Sequence, residues 1–368
     1  MRRLLLIGAG HAGAELLRRW ADAPAPGVEL VLLTPDTLAP YSGMVPGWLA
    51  GDYAWGDCCI DFARLAARAG AKLIVDRAVA LDTARREVQL AGGGTLVADA
   101  MVLNIGSTVR TPQPAPGPHA IVLPTRPLGA LHDAVDAAVA LWRERQRAAE
   151  LVGVGGGAAG VEALLALRRR VLRAGVAPRC TLLTRDGALL RGLNARARRL
   201  AREALARSGV TLRQSFDVQE IQAGGLRARD GRTQAADAVL WAAGAVAHRW
   251  PAASGVDVDA AGFVRVDPTL RSTSHSWLFA VGDCAAFDPP LPKAGVYSVR
   301  MGPVLAHNVG AALGGRALRE YRPQRRQLVL LNTADGSAIA SRGQLAAAGR
   351  WAMRWKDSID RGFVERYR

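Results

Sequence analysis

Lysine is nearly missing from this chain. Lys72, Lys293 and Lys356 are the only three, although lysine and arginine together number 48. The formal net charge of +16 is therefore carried by arginine. It comes with no recognisable nucleic-acid motif and no aromatics interleaved in a basic stripe, which argues against nucleic acid as a partner. Cysteine is scarce as well: Cys58, Cys59, Cys180 and Cys284. None forms a C-x-x-C pair, and the neighbours Cys58 and Cys59 are poorly placed for an unstrained disulfide. Metal-ligand spacing is absent too, so neither a metal site nor dithiol exchange is expected. No uninterrupted apolar run reaches the roughly 18–20 residues that cross a bilayer. Met1-Arg2-Arg3 followed by Leu4 to Gly10 imitates an export signal, but cleavage there would destroy the first motif described below. The cytoplasm is the expected compartment.

What the chain does contain is one pattern written twice. Leu4-Leu5-Leu6-Ile7 runs into Gly8-Ala9-Gly10-His11-Ala12-Gly13 and then Ala14-Glu15-Leu16-Leu17. Leu151-Val152-Gly153-Val154 runs into Gly155-Gly156-Gly157-Ala158-Ala159-Gly160 and then Val161-Glu162-Ala163-Leu164. Each is a short apolar strand, a G-x-G-x-x-G turn and an amphipathic helix. The first glycine makes the tight turn, the second lets backbone approach a pyrophosphate, and the third packs helix on strand. The positive end of the helix dipole then faces the pyrophosphate. The repeat extends further. Asp99 to Ser107 and Asp237 to Ala245 each read as an Asp-led buried strand ending in a Gly turn, at Gly106 and Gly244. A duplicated unit of this kind points to two dinucleotide sites, one for a flavin and one for a nicotinamide.

At 368 residues the chain reads as two domains plus a tail. Strand, turn, helix and strand fill residues 1–34. Pro40 to Gly47 is Gly/Pro-rich, irregular backbone suited to wrapping a ligand. Helix 61–69, strand 72–75 and short strands around Val79 and Val88 follow. Pro112, Pro114, Pro116 and Pro118 mark a linker. A helix over 128–147 leads to strand 150–154, helix 158–173, strand 179–183, helix 195–207 and strand 237–243. Thr273 to Asp283 reads as a strand returning to the first domain, its terminal carboxylate suited to a flavin ribityl hydroxyl. The fold class is thus α/β. Two Rossmann-like dinucleotide-binding domains are expected, the second inserted in the first: residues 1–112 and 236–312 for FAD, and 113–235 for NAD(P). Residues 313–368 form a C-terminal packing or interface segment.

Both glycine fingerprints, the LNIGS and WAAGA turns and the return strand STSHSWLFAVGDCA resemble the two-dinucleotide-binding-domain flavoproteins, the pyridine nucleotide–disulfide oxidoreductase fold. Without a redox cysteine pair, the chain is more similar to type II NADH dehydrogenases. More narrowly, PYSGMVPGWLAGDY, KAGVYSVRMGP and WKDSIDRGFVERY resemble the flavoprotein module fused to selenide, water dikinase. The resemblance implies FAD together with NADH or NADPH, and electrons passed to a small acceptor such as a quinone or a selenium compound. A flavin-binding, redox-responsive interaction module with little turnover is the alternative.

For FAD it implies Gly8, Gly10, His11, Ala12, Gly13, Thr34, Pro35, Tyr41, Ser42, Met44, Val79, Gly106, Ser107, Gly282, Asp283, Gly295 and Val296. For NAD(P) it implies Gly155, Gly157, Ala158, Gly160, Glu162, Thr184, Arg185 and Gly244. Glu162 matches a family glutamate near the nicotinamide, and Lys293 is placed to bring positive charge to a flavin carbonyl or an acceptor; these two are the catalytic candidates. Many relatives end the second strand of each unit with an acid that holds the adenosine ribose. Here Leu33 is followed by Thr34-Pro35-Asp36, and Leu183 by Thr184-Arg185-Asp186. An acid in the second unit favours NADH, whereas threonine with arginine can accept a 2′-phosphate. Val296 and Arg300 stand where the dehydrogenases carry glutamine, which weakens quinone as acceptor.

In the tail, Trp351, Trp355, Ile359 and Phe363 recur every fourth residue, with arginine and lysine between them. Apolar helical stripes usually face a core. Packing on the flavin domain or on a second subunit, as a homodimer, is expected ahead of peripheral contact with the inner face of a membrane.

Overall fold

A computed structural model describes residues 1–112, 120–145 and 149–368. The prolines read as a linker after Pro112 lie outside the described residues. Leu4, Leu5, Leu6 and Ile7 are all buried, as a strand covered on both faces of a parallel sheet requires. Five parallel strands form the first sheet, in the order Leu278–Ala280, Ala100–Leu103, Arg2–Ile7, Val28–Thr34, Lys72–Val75. Strand order reverses beside Arg2–Ile7, so a ligand crevice opens at the carboxyl ends of Arg2–Ile7 and Ala100–Leu103. Helix His11–Asp22 lies against the long helix Gly295–Leu313. They approach closely because Gly302 has no side chain: a Cβ there would sit 2.6 Å from the Glu15 Cβ.

The second sheet repeats the first. Its order is Ile121–Pro124, Ala238–Trp241, Ala149–Val154, Pro178–Leu183, Val210–Arg213, again all parallel. Ala238–Trp241, assigned to the first domain by the division at residue 236, pairs with Ala149–Val154 in this sheet. Each unit also carries a three-stranded antiparallel meander, Ala78–Asp82 to Thr95–Val97 in one and Val218–Gln222 to Thr233–Ala235 in the other. The chain leaves the first unit and re-enters it at one place. There Thr108 N–H donates to Val246 O and Val246 N–H to Thr108 O, both at 2.8 Å.

The tail holds an element that its sequence did not announce. Leu328–Asn332, Ala338–Arg342 and Leu345–Gly349 form an antiparallel sheet, and helix Arg350–Glu365 follows. The apolar stripe on that helix divides. Phe363 is 6% exposed, but Trp351, Trp355 and Ile359 are 51%, 44% and 43% exposed. The inward face is instead Ala352, Lys356, Asp360, Phe363 and Val364. Core packing of the whole stripe is therefore corrected. The helix turns inward an ion pair that satisfies itself, and hydrophobicity alone does not reveal that face. Among the described residues no helix is long and apolar enough to cross a membrane.

The divided stripe sets the cost of truncation. Phe363→Ala should destabilise the fold by about 3–5 kcal/mol. Trp355→Ser should change it by less than about 0.5 kcal/mol. Denaturant unfolding of the two variants checks the difference.

Candidate active site

The two glycine turns open on the same backbone hydrogen bond. Gly8 N–H donates to Leu33 O at 2.8 Å, and Gly155 N–H to Leu183 O at 2.9 Å. Gly8 has φ +97° and Gly155 φ +126°, conformations that disfavour any side chain. A Cβ on Gly8 would lie 2.6 Å from Asn104 O, and one on Gly155 2.7 Å from Ala242 O. Asn104 and Ala242 are thus equivalent positions, and here the units diverge. A Cβ at Gly157 would meet nothing within 4 Å, which leaves an open cradle at the start of helix Ala158–Arg173. At Gly10 a Cβ would lie 2.5 Å from the Asn104 side chain. That amide accepts from Gly13 N–H at 2.8 Å and donates to Val281 O at 3.2 Å. In the first unit a side chain floors the cradle and ties it to the return strand. Both cradles stand at the start of a helix, where the positive end of the dipole suits a pyrophosphate.

Around the first cradle the expected residues converge. Asp283 follows the return strand, and Ser107 Oγ donates to its Oδ2 at 3.3 Å. Arg126, absent from the sequence expectations, reaches across from the second unit and donates to both Ser107 Oγ and Asp283 Oδ2. No motif marked it; only the fold brings it there. Gly106 and Gly282 have φ +67° and +73°. Gly295 opens the long helix, where a Cβ would come 3.1 Å from Ser42 Oγ, and Val296 is half-buried beside it. Burial lowers the His11 pKa to about 4 despite the nearby Asp283 charge, so its imidazole is neutral. Ala12 is buried in the helix. Thr34 is buried with its hydroxyl on Asp36 O at 2.9 Å, and Pro35 is exposed. Val79 is 42% exposed on the meander.

Other placements differ from expectation. Met44, read as cover for a ring system, is fully buried in the core. The Lys293 ammonium donates to Ala285 O at 2.5 Å and lies 3.8 Å from the Phe263 ring centre, within reach of the Asp283 and Arg126 charges. Glu162 does not point at its own glycine turn. Its Oε1 accepts from Asn332 N–H at 2.7 Å, in the C-terminal sheet. Burial raises its pKa to about 7, against the pull of Lys356. Lys356 Nζ donates to Gly43 O at 2.7 Å and to Asp360 Oδ2 at 2.8 Å. Burial opposes the ammonium, but Glu162 and Asp360 outweigh it and raise its pKa. Asp360 also bonds the Tyr41 hydroxyl, and the Tyr41 ring stacks on Phe363 at 4.2 Å. The Tyr41–Gly43 turn, the second unit's helix and the tail therefore share one buried polar knot. The first unit has a counterpart: Glu15, two residues past Gly13 as Glu162 is past Gly160, accepts from Tyr367 Oη at 3.1 Å.

The second unit's adenosine end is plain. Thr184 is buried beneath Gly156, and Gly244 has φ +63°. The Arg185 and Arg191 side chains are 75% and 68% exposed, 4.0 and 3.5 Å from Asp186. All four cysteines are free and buried, and burial raises their pKa values to about 12 for Cys58 and Cys180 and about 11 for Cys59 and Cys284. None is an activated thiolate.

Two Rossmann-type units, each with a glycine cradle at a helix start, define a two-nucleotide oxidoreductase fold. Residues 2–310 match the family described as pyridine nucleotide-disulphide oxidoreductase, and the chain belongs to that family, whose members are FAD-dependent enzymes using NADH or NADPH. Among solved structures it is similar to the sulfide:quinone oxidoreductase of Aquifex aeolicus, with a TM-score of 0.82 at 16% identity over 100% of this chain and 92% of that one. A ferredoxin reductase of Rhodopseudomonas palustris gives 0.74 at 19% identity over 96% and 93%. An engineered water-forming NADPH oxidase derived from the Lactobacillus brevis NADH oxidase gives 0.74 at 17% over 93% and 75%.

Because Glu162 has a raised pKa in the folded chain, folding favours its protonated form. Its contribution to stability is present below its unfolded value and is lost as pH rises through about 7. Glu162→Gln should be more stable than wild type above pH 7 and should flatten the stability–pH curve between about pH 4.5 and 7. Urea midpoints across that range check it.

Proposed function

We propose that the chain is an FAD-dependent oxidoreductase that draws on NADPH in preference to NADH and passes electrons to a small acceptor. The pair Arg185 and Arg191 carries the nucleotide choice. A ribose-binding acid is missing directly before the first arginine, where Thr184 stands, and two exposed guanidiniums six residues apart suit a 2′-phosphate. The engineered oxidase bound to NADPH supports this reading. Its changes remove one aspartate, put arginine at the next position and add a second arginine six residues further on.

Bound FAD would supply hydride chemistry between nicotinamide and acceptor, which needs no side-chain acid or base. The chain's own residues do the rest. Gly157 and the start of helix Ala158–Arg173 hold the nucleotide pyrophosphate, and Gly8, Gly10 and Gly13 hold that of FAD. Asp283, fixed by Arg126 and Ser107, receives the ribityl chain. Gly106, Gly244, Gly295 and Val296 bring backbone close to the cofactors. Neutral His11 adds no charge beside the phosphates. Glu162 and Lys356 hold a proton and an ammonium next to the Tyr41–Gly43 turn, and serve as a proton store rather than a nicotinamide contact.

NADPH should bleach the flavin of purified protein under anaerobic rapid mixing at lower concentration than NADH. Arg185→Ala and Arg191→Ala should each raise the KM for NADPH about tenfold and leave that for NADH within about twofold. Equal sensitivity to both nucleotides would overturn the NADPH reading. Bleaching by dithionite but by neither nucleotide would instead favour a redox-responsive module. The exposed Trp351–Trp355–Ile359 face, flanked by Arg350 and Arg354, supports a peripheral contact with an anionic surface. Co-sedimentation with anionic vesicles should fall with salt and with Trp351→Ala/Trp355→Ala; no sedimentation at low salt would leave a protein–protein contact as the reading of that face.

A further inference from the structure

A cavity of about 290 Å³ opens at the end of the flavin unit opposite its glycine turn. That is near the lower limit of the roughly 300–1,000 Å³ typical of ligand pockets. Helices His11–Asp22 and Gly295–Leu313 start side by side at the first cradle, and both end here, where Ala23 to Pro26 lead into strand Val28–Thr34. The floor is apolar: Leu16, Trp20 and Leu313 are buried. The rim is cationic, with Arg2, Arg19 and Arg316 around His307, and none of the lining residues is acidic. Glu15 engages only the Nε of Arg19, at 2.5 Å. The carboxylate nearest in sequence to Arg2 is taken elsewhere, since Glu29 pairs with Arg3 at 2.7 Å. Among the described residues neither Arg2 nor Arg316 has a carboxylate partner, and Arg316 Nη2 reaches only Gly310 O, at 3.5 Å. The local field is positive: after burial, the Arg319 and Arg316 charges are what lower the His307 pKa.

We propose that this cavity is a binding site, separate from both glycine cradles, for a small amphipathic carboxylate: an aryl or short alkyl monoacid. The apolar body packs on Leu16, Trp20 and Leu313, and the carboxylate takes guanidinium bonds from Arg2 and Arg316 at the rim. A guanidinium meets a carboxylate through two parallel bonds, and its weak hydration suits a half-apolar setting. Neither part of the site is sufficient alone. The floor without the rim would take any small hydrocarbon, and the rim without the floor would be solvated surface charge. Together they select a ligand with one apolar and one anionic end. Inorganic phosphate has no apolar part and would leave the floor wet. The competing role for the arginines is to offset the negative ends of the two helix dipoles that terminate here. That role needs no ligand, and it makes a different prediction.

Calorimetric titration of the full chain as purified compares 2-naphthoate, its neutral counterpart 2-naphthalenemethanol, and inorganic phosphate. Naphthoate should bind at one site, about tenfold or more tighter than the other two, and Arg2→Ala and Arg316→Ala should each weaken it about tenfold. Both arginines are exposed, so these variants keep the fold. Gly310→Leu gives an independent reading. A Cβ at Gly310 would meet nothing within 4 Å, so the new side chain is admitted and occupies the cavity; naphthoate binding should be lost while Tm is kept. Saturating NADPH should leave the affinity for naphthoate unchanged. Equal binding of the acid and the alcohol, or of the acid and phosphate, would overturn the proposal. So would competition by NADPH, or an affinity indifferent to both arginine substitutions. A lower Tm in the arginine variants, with no saturable binding of naphthoate by wild type, would overturn it in favour of the helix-end role.

Discussion

The carboxamide of Asn104 is the interaction on which the flavin unit turns. It stands where the ends of two adjacent parallel strands and a glycine turn meet, and it bonds the turn on one side and the return strand on the other. Its oxygen takes the N–H of Gly13 and its nitrogen gives to Val281 O. The helix start, strand Ala100–Leu103 and the return strand are held together by one side chain. Gly10 must lack a Cβ because of this amide, before any ligand is considered. Its counterpart Ala242 leaves the cradle at Gly157 open. One cradle is floored by a side chain of its own unit and the other is left bare.

The tail is organised by the same duplication. Glu15 and Glu162 hold the same station in the two fingerprints, and both turn to the C-terminal segment rather than to a nucleotide. Glu15 meets Tyr367, while Glu162 meets Asn332 and the Lys356–Asp360 pair. A buried pair of this kind is weak as a source of stability but strict about geometry. Lys356 also takes up Gly43 O, so the turn around Tyr41 is placed by a residue more than three hundred positions away.

Much of the fold was legible because parallel strands buried on both faces and glycines forced into positive φ leave strong local signals. Leu4 to Gly13 and Leu151 to Gly160 carried both. The meanders were read only as scattered short strands, and the tail's sheet was not read at all. Its strands lean on the second unit's helix, and Ala338 to Ala348 shows no sharp alternation. Gly106 and Gly244, both at positive φ, and Gly295, at a helix start, were marked by pattern as places where the backbone turns. Those fixed by long-range packing could not. Arg126 has no motif, the partners of Lys293, Ala285 O and the Phe263 ring, left no mark in the sequence, and Lys356 looked like surface charge on an apolar stripe.

The paired crossing at Thr108 and Val246 means that entry to and exit from the inserted unit lie side by side, bonded to each other like the two legs of a hairpin. An insertion attached in this way disturbs its host no more than a loop does. The second unit is in effect a very long turn grafted onto a finished flavin domain. It is also stitched to that domain away from the crossing, by Arg126 on Asp283 and by Glu162 beside Lys356, so the graft is fastened at its far side as well as at its stem.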